Sequence, residues 1–227
     1  INQIITGFPN VYAGSFVLSG LVFFFLQGNI PIRKRIAYLF GFLVMVASFY
    51  FNGINLIWHG LNTPAWFPYR YSFVFVFLAV AAAYESFLAS LEKSIHVSQL
   101  LAIGTLWGLI GFYMSGRAYD FITDFNAQIT YVLLFISAIL LFAFSHAKPN
   151  VKRHVFVLML AFSFFELTYN GHETLKQQPY APRADFTGNV EKVQPLTETI
   201  FEEDESFYRM AKDFQFNRND PMLYGYS

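Results

Sequence analysis

Long apolar stretches alternate with short polar segments over the first 170 residues of the chain. A helix needs about 20 mainly apolar residues to cross the ~30 Å hydrocarbon core of a bilayer. Six stretches come close to that length, at about 11–28, 36–54, 71–91, 97–115, 128–146 and 153–170. The pattern therefore predicts an all-α transmembrane helix bundle of about six spans over residues 1–170.

The pattern changes near Asn170. Residues 171–227 hold many charges and several prolines, and no long apolar run interrupts them. Apolar residues recur among polar ones through 190–214, which predicts the start of a small extracellular α+β domain rather than a further span. Because the chain opens on Ile1 and stops at Ser227, we expect it to be an internal piece of a longer protein, with this outer domain cut short.

The positive charges predict how the bundle is oriented. Loops 29–35, 92–96 and 147–153 carry most of the loop lysines and arginines, whereas the alternate loops 52–70 and 116–127 carry one arginine each. Lys and Arg are enriched in cytoplasmic loops of membrane proteins. We therefore expect a multi-pass protein of the cell membrane with the basic loops in the cytoplasm, and with loop 52–70 and the tail outside.

Composition supports a membrane protein and excludes several classes. Hydrophobic residues make up 55% of the chain and charged residues 13%, about half the charged fraction of an ordinary soluble domain. The lipid bilayer is an expected partner because of the long apolar stretches. Nucleic acid is not an expected partner, because the net charge is zero. Without cysteine, disulfides and thiolate metal sites are excluded. No metal, hydrolase or phosphate-loop motif occurs, so we expect no metal and no cofactor.

The connection between the second and third predicted spans is the most unusual segment. Its two prolines and two glycines favour a folded loop over a continuous helix. Aromatic residues such as Trp58, Trp66 and Tyr69 often form a belt at the lipid headgroups, with an arginine reaching to the surface. The functional interpretation is that His59 and Arg70 meet between aromatic walls. There Arg70 could bind phosphate oxygens, which suits a lipid-linked phosphosugar.

Two carboxylates fall inside predicted spans, and a third charged group lies in a loop. Glu85 and Glu166 would be costly at membrane depth and are expected to face the bundle interior or water. Hydrogen bonding to a neighbouring helix explains such residues as well as a functional site does. Arg117, Asp120 and Asp124 have helical spacing, which an interfacial ion pair explains more often than a site.

The same segment resembles part of a known family. The chain resembles the YfhO family of bacterial multi-pass membrane proteins in the block Trp58-His59-Gly60, Pro64 and Trp66-Phe67-Pro68-Tyr69-Arg70-Tyr71-Ser72-Phe73. Further similarity lies at Glu166 to Asn170, at Phe207-Tyr208-Arg209 and at Asn219-Asp220-Pro221-Met222. The resemblance covers the chain from the second span to the end.

This resemblance implies a GT-C-type glycosyltransferase. Such a protein would move a sugar, GlcNAc in the well-described case, from undecaprenyl phosphate to lipoteichoic acid in the cell wall of Gram-positive bacteria. An upstream glycosyltransferase would make the donor inside the cell. GT-C enzymes place a catalytic acidic residue in the first outer loop, which this sequence lacks. The resemblance therefore assigns no catalytic residue here, and we expect the fragment alone to be inactive.

A binding role is expected for one set of residues. Arg70 is expected to bind the phosphate, because a fixed cation stabilises a leaving phosphate. The full set of predicted substrate-binding residues is Arg70, His59, Trp58, Trp66, Tyr69 and Glu166. Two other functions are compatible with the sequence. A transporter or flippase of a lipid-linked sugar would use Glu85 and Glu166 as proton or substrate sites. A non-catalytic partner in wall-polymer assembly would use the outer tail.

Overall fold

The computed structural model describes residues 9, 11–63, 69–115, 123–176 and 182–203, apart from the side chains of 185, 186 and 189. All regular structure in these ranges is α-helical. The helices are α1 (Ser15–Leu26), α2 (Ile32–Tyr50), α3 (Asn52–Trp58), α4 (Ser72–Glu92), α5 (Val97–Ser115), α6 (Asp124–His146), α7 (Pro149–Lys176) and α8 (Arg183–Glu203).

Three helices, α4, α5 and α6, are long and apolar enough to cross a membrane. A fourth span results if α2 and α3, which are bent by 105° at their junction, are counted as one. The described helices thus give three or four candidate spans by length and composition, and not the six expected. The first predicted span forms a helix of only 12 residues, about 18 Å long. The sixth lies in α7, whose 28 residues begin and end in polar sequence.

Successive long helices run in alternate directions, so the basic loops meet at one end of the bundle. The Asn29 amide donates to the Ala89 carbonyl at 2.9 Å, which joins the α1–α2 loop to the end of α4. The Ser94 hydroxyl donates to the Ser145 carbonyl at 2.9 Å, which joins the α4–α5 loop to the end of α6. We call this the basic end. The opposite end holds the α2–α4 connection, and we call it the aromatic end.

Small residues let the helices of the bundle approach closely. A Cβ placed on Gly20 of α1 would lie 2.8 Å from the Ala83 Cβ of α4. The hydroxyls of Ser19 and Ser137, both fully buried, lie 2.7 Å apart between α1 and α6. Close approach through glycine and serine is typical of helices packed in lipid. The buried apolar cluster beside them comprises Phe23, Ile95, Ile103, Trp107, Leu134, Ala138, Leu141, Phe144 and Met159.

Residues from His172 onward form a separate compact unit. Its described part consists of the last turn of α7 and helix α8, which buries Val193 and Thr197 and contains Pro195. Strands are absent from the described residues of this tail, so the predicted α+β character is not found there. Residues 204–227, which hold the family block Phe207-Tyr208-Arg209, lie outside the described part of the chain.

Candidate functional site

The backbone between α2 and α4 folds back on itself at the aromatic end. Helix α2 ends in the extended residue Phe51, and the seven-residue α3 follows directly. Gly60 and Leu61 then both adopt a φ of 63°. Glycine takes this left-handed conformation readily, but leucine does so at a cost of about 1–2 kcal/mol. The folded loop expected from the prolines and glycines therefore begins with a short helix and a strained turn.

This fold gathers five rings, which we call the aromatic cluster: Phe49, Trp58, His59, Tyr69 and Tyr71. Tyr71 is central, since its ring stacks on Trp58 at 4.9 Å and on Phe49 at 5.6 Å between centroids. The His59 ring lies 5.9 Å from Tyr71, and the Tyr69 ring lies 5.9 Å from Phe49 in an edge contact. Stacked and edge-on pairs of this kind stabilise by about 0.5–1.5 kcal/mol each beyond their buried area.

Ser48 of α2 holds two rings of the aromatic cluster by hydrogen bonds. The Tyr71 hydroxyl donates to the Ser48 carbonyl at 2.7 Å, and the Trp58 indole N–H donates to the Ser48 hydroxyl at 3.0 Å. Ser48 is fully buried, and its own hydroxyl donates to the Val44 carbonyl. Ser48 is not among the residues predicted from the sequence. The available signal was a serine in the middle of an apolar helix, where its hydroxyl must find a partner.

A second polar residue missed from the sequence is Asn55. It lies on α3 and is only 8% exposed. Its amide oxygen is buried and has no hydrogen-bond partner among the described residues. Most buried polar side-chain atoms have a hydrogen-bond partner. The Asn55 amide oxygen is therefore an unusual acceptor within the α2–α4 connection.

The structure brings together some of the predicted site residues and separates others. Trp58, His59 and Tyr69 belong to the cluster, and Arg70 lies between two of its tyrosines in the chain. Trp58 is 43% exposed and Arg70 is exposed, so the aromatic end presents an indole and a guanidinium at its surface. Trp66 lies outside the described residues.

Glu166 is placed at a different point, under the start of α1. It is 7% exposed, and its carboxylate accepts hydrogen bonds from the Ser15 backbone N–H at 2.7 Å and from the Ser15 hydroxyl at 2.6 Å. Tyr12, which precedes α1, also bonds to it. This hydrogen bond joins the Tyr12 side chain to the Glu166 carboxylate. The N-cap residue Gly14 offers no side chain, so Glu166 caps α1 from another helix.

Glu85 is paired at the other end of the bundle. Its carboxylate accepts from the Lys34 ammonium at 2.8 Å, and both side chains are partly exposed. Asp124 lies in the first turn of α6 behind the N-cap Thr123, whereas Arg117 and Asp120 lie outside the described residues. The described part of the chain contains no group of three His, Asp or Glu residues arranged to hold a metal ion.

Comparison with known proteins adds one finding. A family model described as bacterial membrane protein YfhO matches residues 1–227. The match therefore covers the bundle, the aromatic cluster and the tail together. Neither the curated proteins nor the solved structures give a match.

Proposed function

Because the chain belongs to the YfhO family of bacterial membrane proteins, we propose that it is part of a membrane glycosyltransferase. The enzyme moves a sugar, which we propose to be GlcNAc, from undecaprenyl phosphate to a cell-surface polymer such as lipoteichoic acid. In this proposal the aromatic end faces the outside of the cell and receives the head of the lipid donor. The catalytic base comes from a part of the protein other than this chain.

The aromatic cluster is the observation that carries the proposal. Sugar rings present C–H groups that pack on the electron-rich faces of aromatic rings, and the partly exposed Trp58 offers such a face. Stacking on Tyr71 and the hydrogen bond to Ser48 hold the Trp58 indole in one orientation. A held ring loses little conformational freedom when a ligand binds, which favours affinity.

Arg70 supplies the charge that the reaction requires. Transfer breaks the bond between the anomeric carbon and a phosphate oxygen, while a hydroxyl oxygen of the acceptor bonds to that carbon and gives its proton to the base. Negative charge grows on the departing lipid phosphate. An arginine just before a membrane helix lies at the depth of that phosphate, and its guanidinium can bind two phosphate oxygens at once.

The contacts of the two carboxylates favour transfer over transport. A transporter would need Glu85 or Glu166 to exchange protons or substrate during its cycle. Glu166 instead accepts three hydrogen bonds at the start of α1, and Glu85 pairs with Lys34 near the basic end. Each carboxylate thus has a structural partner that accounts for its presence.

Arg70→Ala in the full-length gene tests the proposal by complementation of a deletion strain. We expect glycosylation of the wall polymer to fall at least about 100-fold, the effect of removing one donor to a developing anion. Arg70→Lys keeps the charge but loses the bidentate geometry, so partial activity is expected. Arg183→Ala, which removes an exposed arginine of α8, is the matched control and should glycosylate normally.

Protein abundance in the membrane is measured in every strain. Normal glycosylation by Arg70→Ala at normal abundance would reduce Arg70 to a membrane anchor and would contradict the proposal. Loss of glycosylation together with accumulation of the donor on the inner side of the membrane would support the flippase instead.

A further inference from the structure

An apolar cavity of about 270 Å³ lies between α1, α4, α6 and α7. Its walls are almost wholly hydrocarbon. The residues that define its length are Val80 and Ser90 of α4, which are ten positions apart and therefore about 15 Å apart along the helix. That distance is half of the ~30 Å hydrocarbon core, so the cavity has the depth of one bilayer leaflet.

The cavity belongs to the leaflet at the basic end. Ser90 and Ile95 line it, and the Ile95 backbone N–H donates to the Ser145 hydroxyl where the α4–α5 loop meets the end of α6. On its outer side the wall includes Val80, Tyr84 and Leu160, which are 45%, 61% and 55% exposed. Since α4 is a candidate membrane span, we expect lipid beside its side chains Val80 and Tyr84.

A cation is held close to the same cavity. The Lys152 ammonium lies 4.9 Å from the centre of the Phe144 ring. That ring stacks on Phe87 at 5.1 Å and contacts Phe156 at 6.3 Å, and both of these rings line the cavity. Lys148, just before α7, and Arg153, near its start, add positive charge. Lys93 adds little, because Glu92 is adjacent.

We propose that this cavity binds one acyl chain of an anionic phospholipid, with the lipid phosphate at Lys152. An apolar cavity of about 150 Å³ holds one benzene molecule, so this one takes a chain segment of about ten carbon atoms. Lys152 then explains the preference for an anionic headgroup. The site is separate from the aromatic cluster and does not depend on the proposed glycosyl transfer.

The test uses the full-length protein in nanodiscs of equal parts phosphatidylglycerol and phosphatidylcholine, with retained lipid measured by native mass spectrometry. We expect one retained lipid, with phosphatidylglycerol favoured about fivefold, the factor for one lysine near an anionic surface. Lys152→Gln should bring the two lipids close to parity. Arg153→Gln removes the same charge from the neighbouring exposed position and should keep the preference.

Filling the cavity tests the chain site separately. Ser163 lines the cavity, whereas Ala161 on the same helix is exposed. Ser163→Phe should lower retained lipid about tenfold, the factor for excluding two methylene groups, while Ala161→Phe should not. Ser163→Leu is the smaller filler to use if the phenylalanine variant does not fold.

Four results would overturn the proposal. They are no retained lipid in the unmodified protein, equal retention of both lipids by it, undiminished retention by folded Ser163 variants, and an equal loss of preference in Lys152→Gln and Arg153→Gln. The last result would mean that general charge attraction, and not a site, selects the lipid.

Discussion

At the scale of single residues, Glu166 shows how a membrane protein accommodates a buried carboxylate. A charge at membrane depth is expensive unless it is hydrogen-bonded. Here the carboxylate accepts from the first backbone N–H of α1, where the helix dipole is positive, and from two hydroxyls. The carboxylate in turn satisfies donors that Gly14 leaves without a side-chain cap. Its environment therefore supports a structural role.

Glu166→Ala should lower the free energy of unfolding by about 2–3 kcal/mol, because the Ser15 N–H and hydroxyl lose their buried acceptor. Glu166→Gln retains an acceptor oxygen and should cost less than half as much. Thermal unfolding in detergent measures both. Glu198→Ala, at an exposed position of α8, is the control. If Glu166→Ala were as stable as that control, the capping role would be wrong, and a stable but inactive Glu166→Gln would instead indicate substrate contact.

At the scale of elements, the contact between α1 and α4 depends on having no side chain at Gly20. Its α4 neighbour Ala83 approaches so closely that an added Cβ would lie 2.8 Å from the Ala83 Cβ and 3.1 Å from its Cα. Gly108 of α5 is also inside a helix, but nothing lies within 4 Å of an added Cβ there. The same substitution thus meets a packed surface at one site and open space at the other.

Gly20→Ala and Gly108→Ala should therefore change stability in opposite directions. Alanine favours a helix over glycine by about 0.8–1.0 kcal/mol, and Gly108→Ala should gain up to that amount. Gly20→Ala gains the same term but overpacks the interface at a cost of about 1–3 kcal/mol, so a net loss is expected. Unfolding temperatures of the two variants, compared in one detergent, measure the difference. Equal gains would show that α1 and α4 are not in close contact.

At the scale of the whole bundle, the alternating directions of the helices bring loops 29–35, 92–96 and 147–153 to the basic end. We expect that end to lie in the cytoplasm, because Lys and Arg are enriched in cytoplasmic loops. The same orientation would place the aromatic cluster at the outer surface. Because the chain contains no cysteine, the orientation can be measured with single introduced thiols.

Cysteine at Asn62 or at Thr187 should react with a membrane-impermeant maleimide in intact cells, and cysteine at Asn150 should react only after the membrane is opened. Asn62 is exposed beside the aromatic cluster, and Asn150 is exposed at the basic end. Labelling of Asn150 alone in intact cells would invert the orientation and would place the aromatic cluster in the cytoplasm.

The sequence by itself determined the membrane character, the approximate positions of the apolar helices and the grouping of Trp58, His59 and Tyr69. These follow from local features, namely the summed hydropathy of neighbouring residues and the prolines and glycines that turn the chain. The described helices show three or four of the six predicted spans, since summed hydropathy does not reveal where a helix ends. Hydropathy did not predict that α1 ends after 12 residues or that α2 ends before Phe51.

Only the tertiary structure decided the partners. Glu166 accepts hydrogen bonds from Ser15, which lies 151 positions earlier in the chain. Tyr71 donates to Ser48, which lies 23 positions earlier. Whether a buried polar group is capped, paired or open to a ligand depends on which helices pack together. The cavity beside Lys152 likewise results from four helices meeting. Packing of this kind is a property of surfaces brought together in space, which no window along the chain contains.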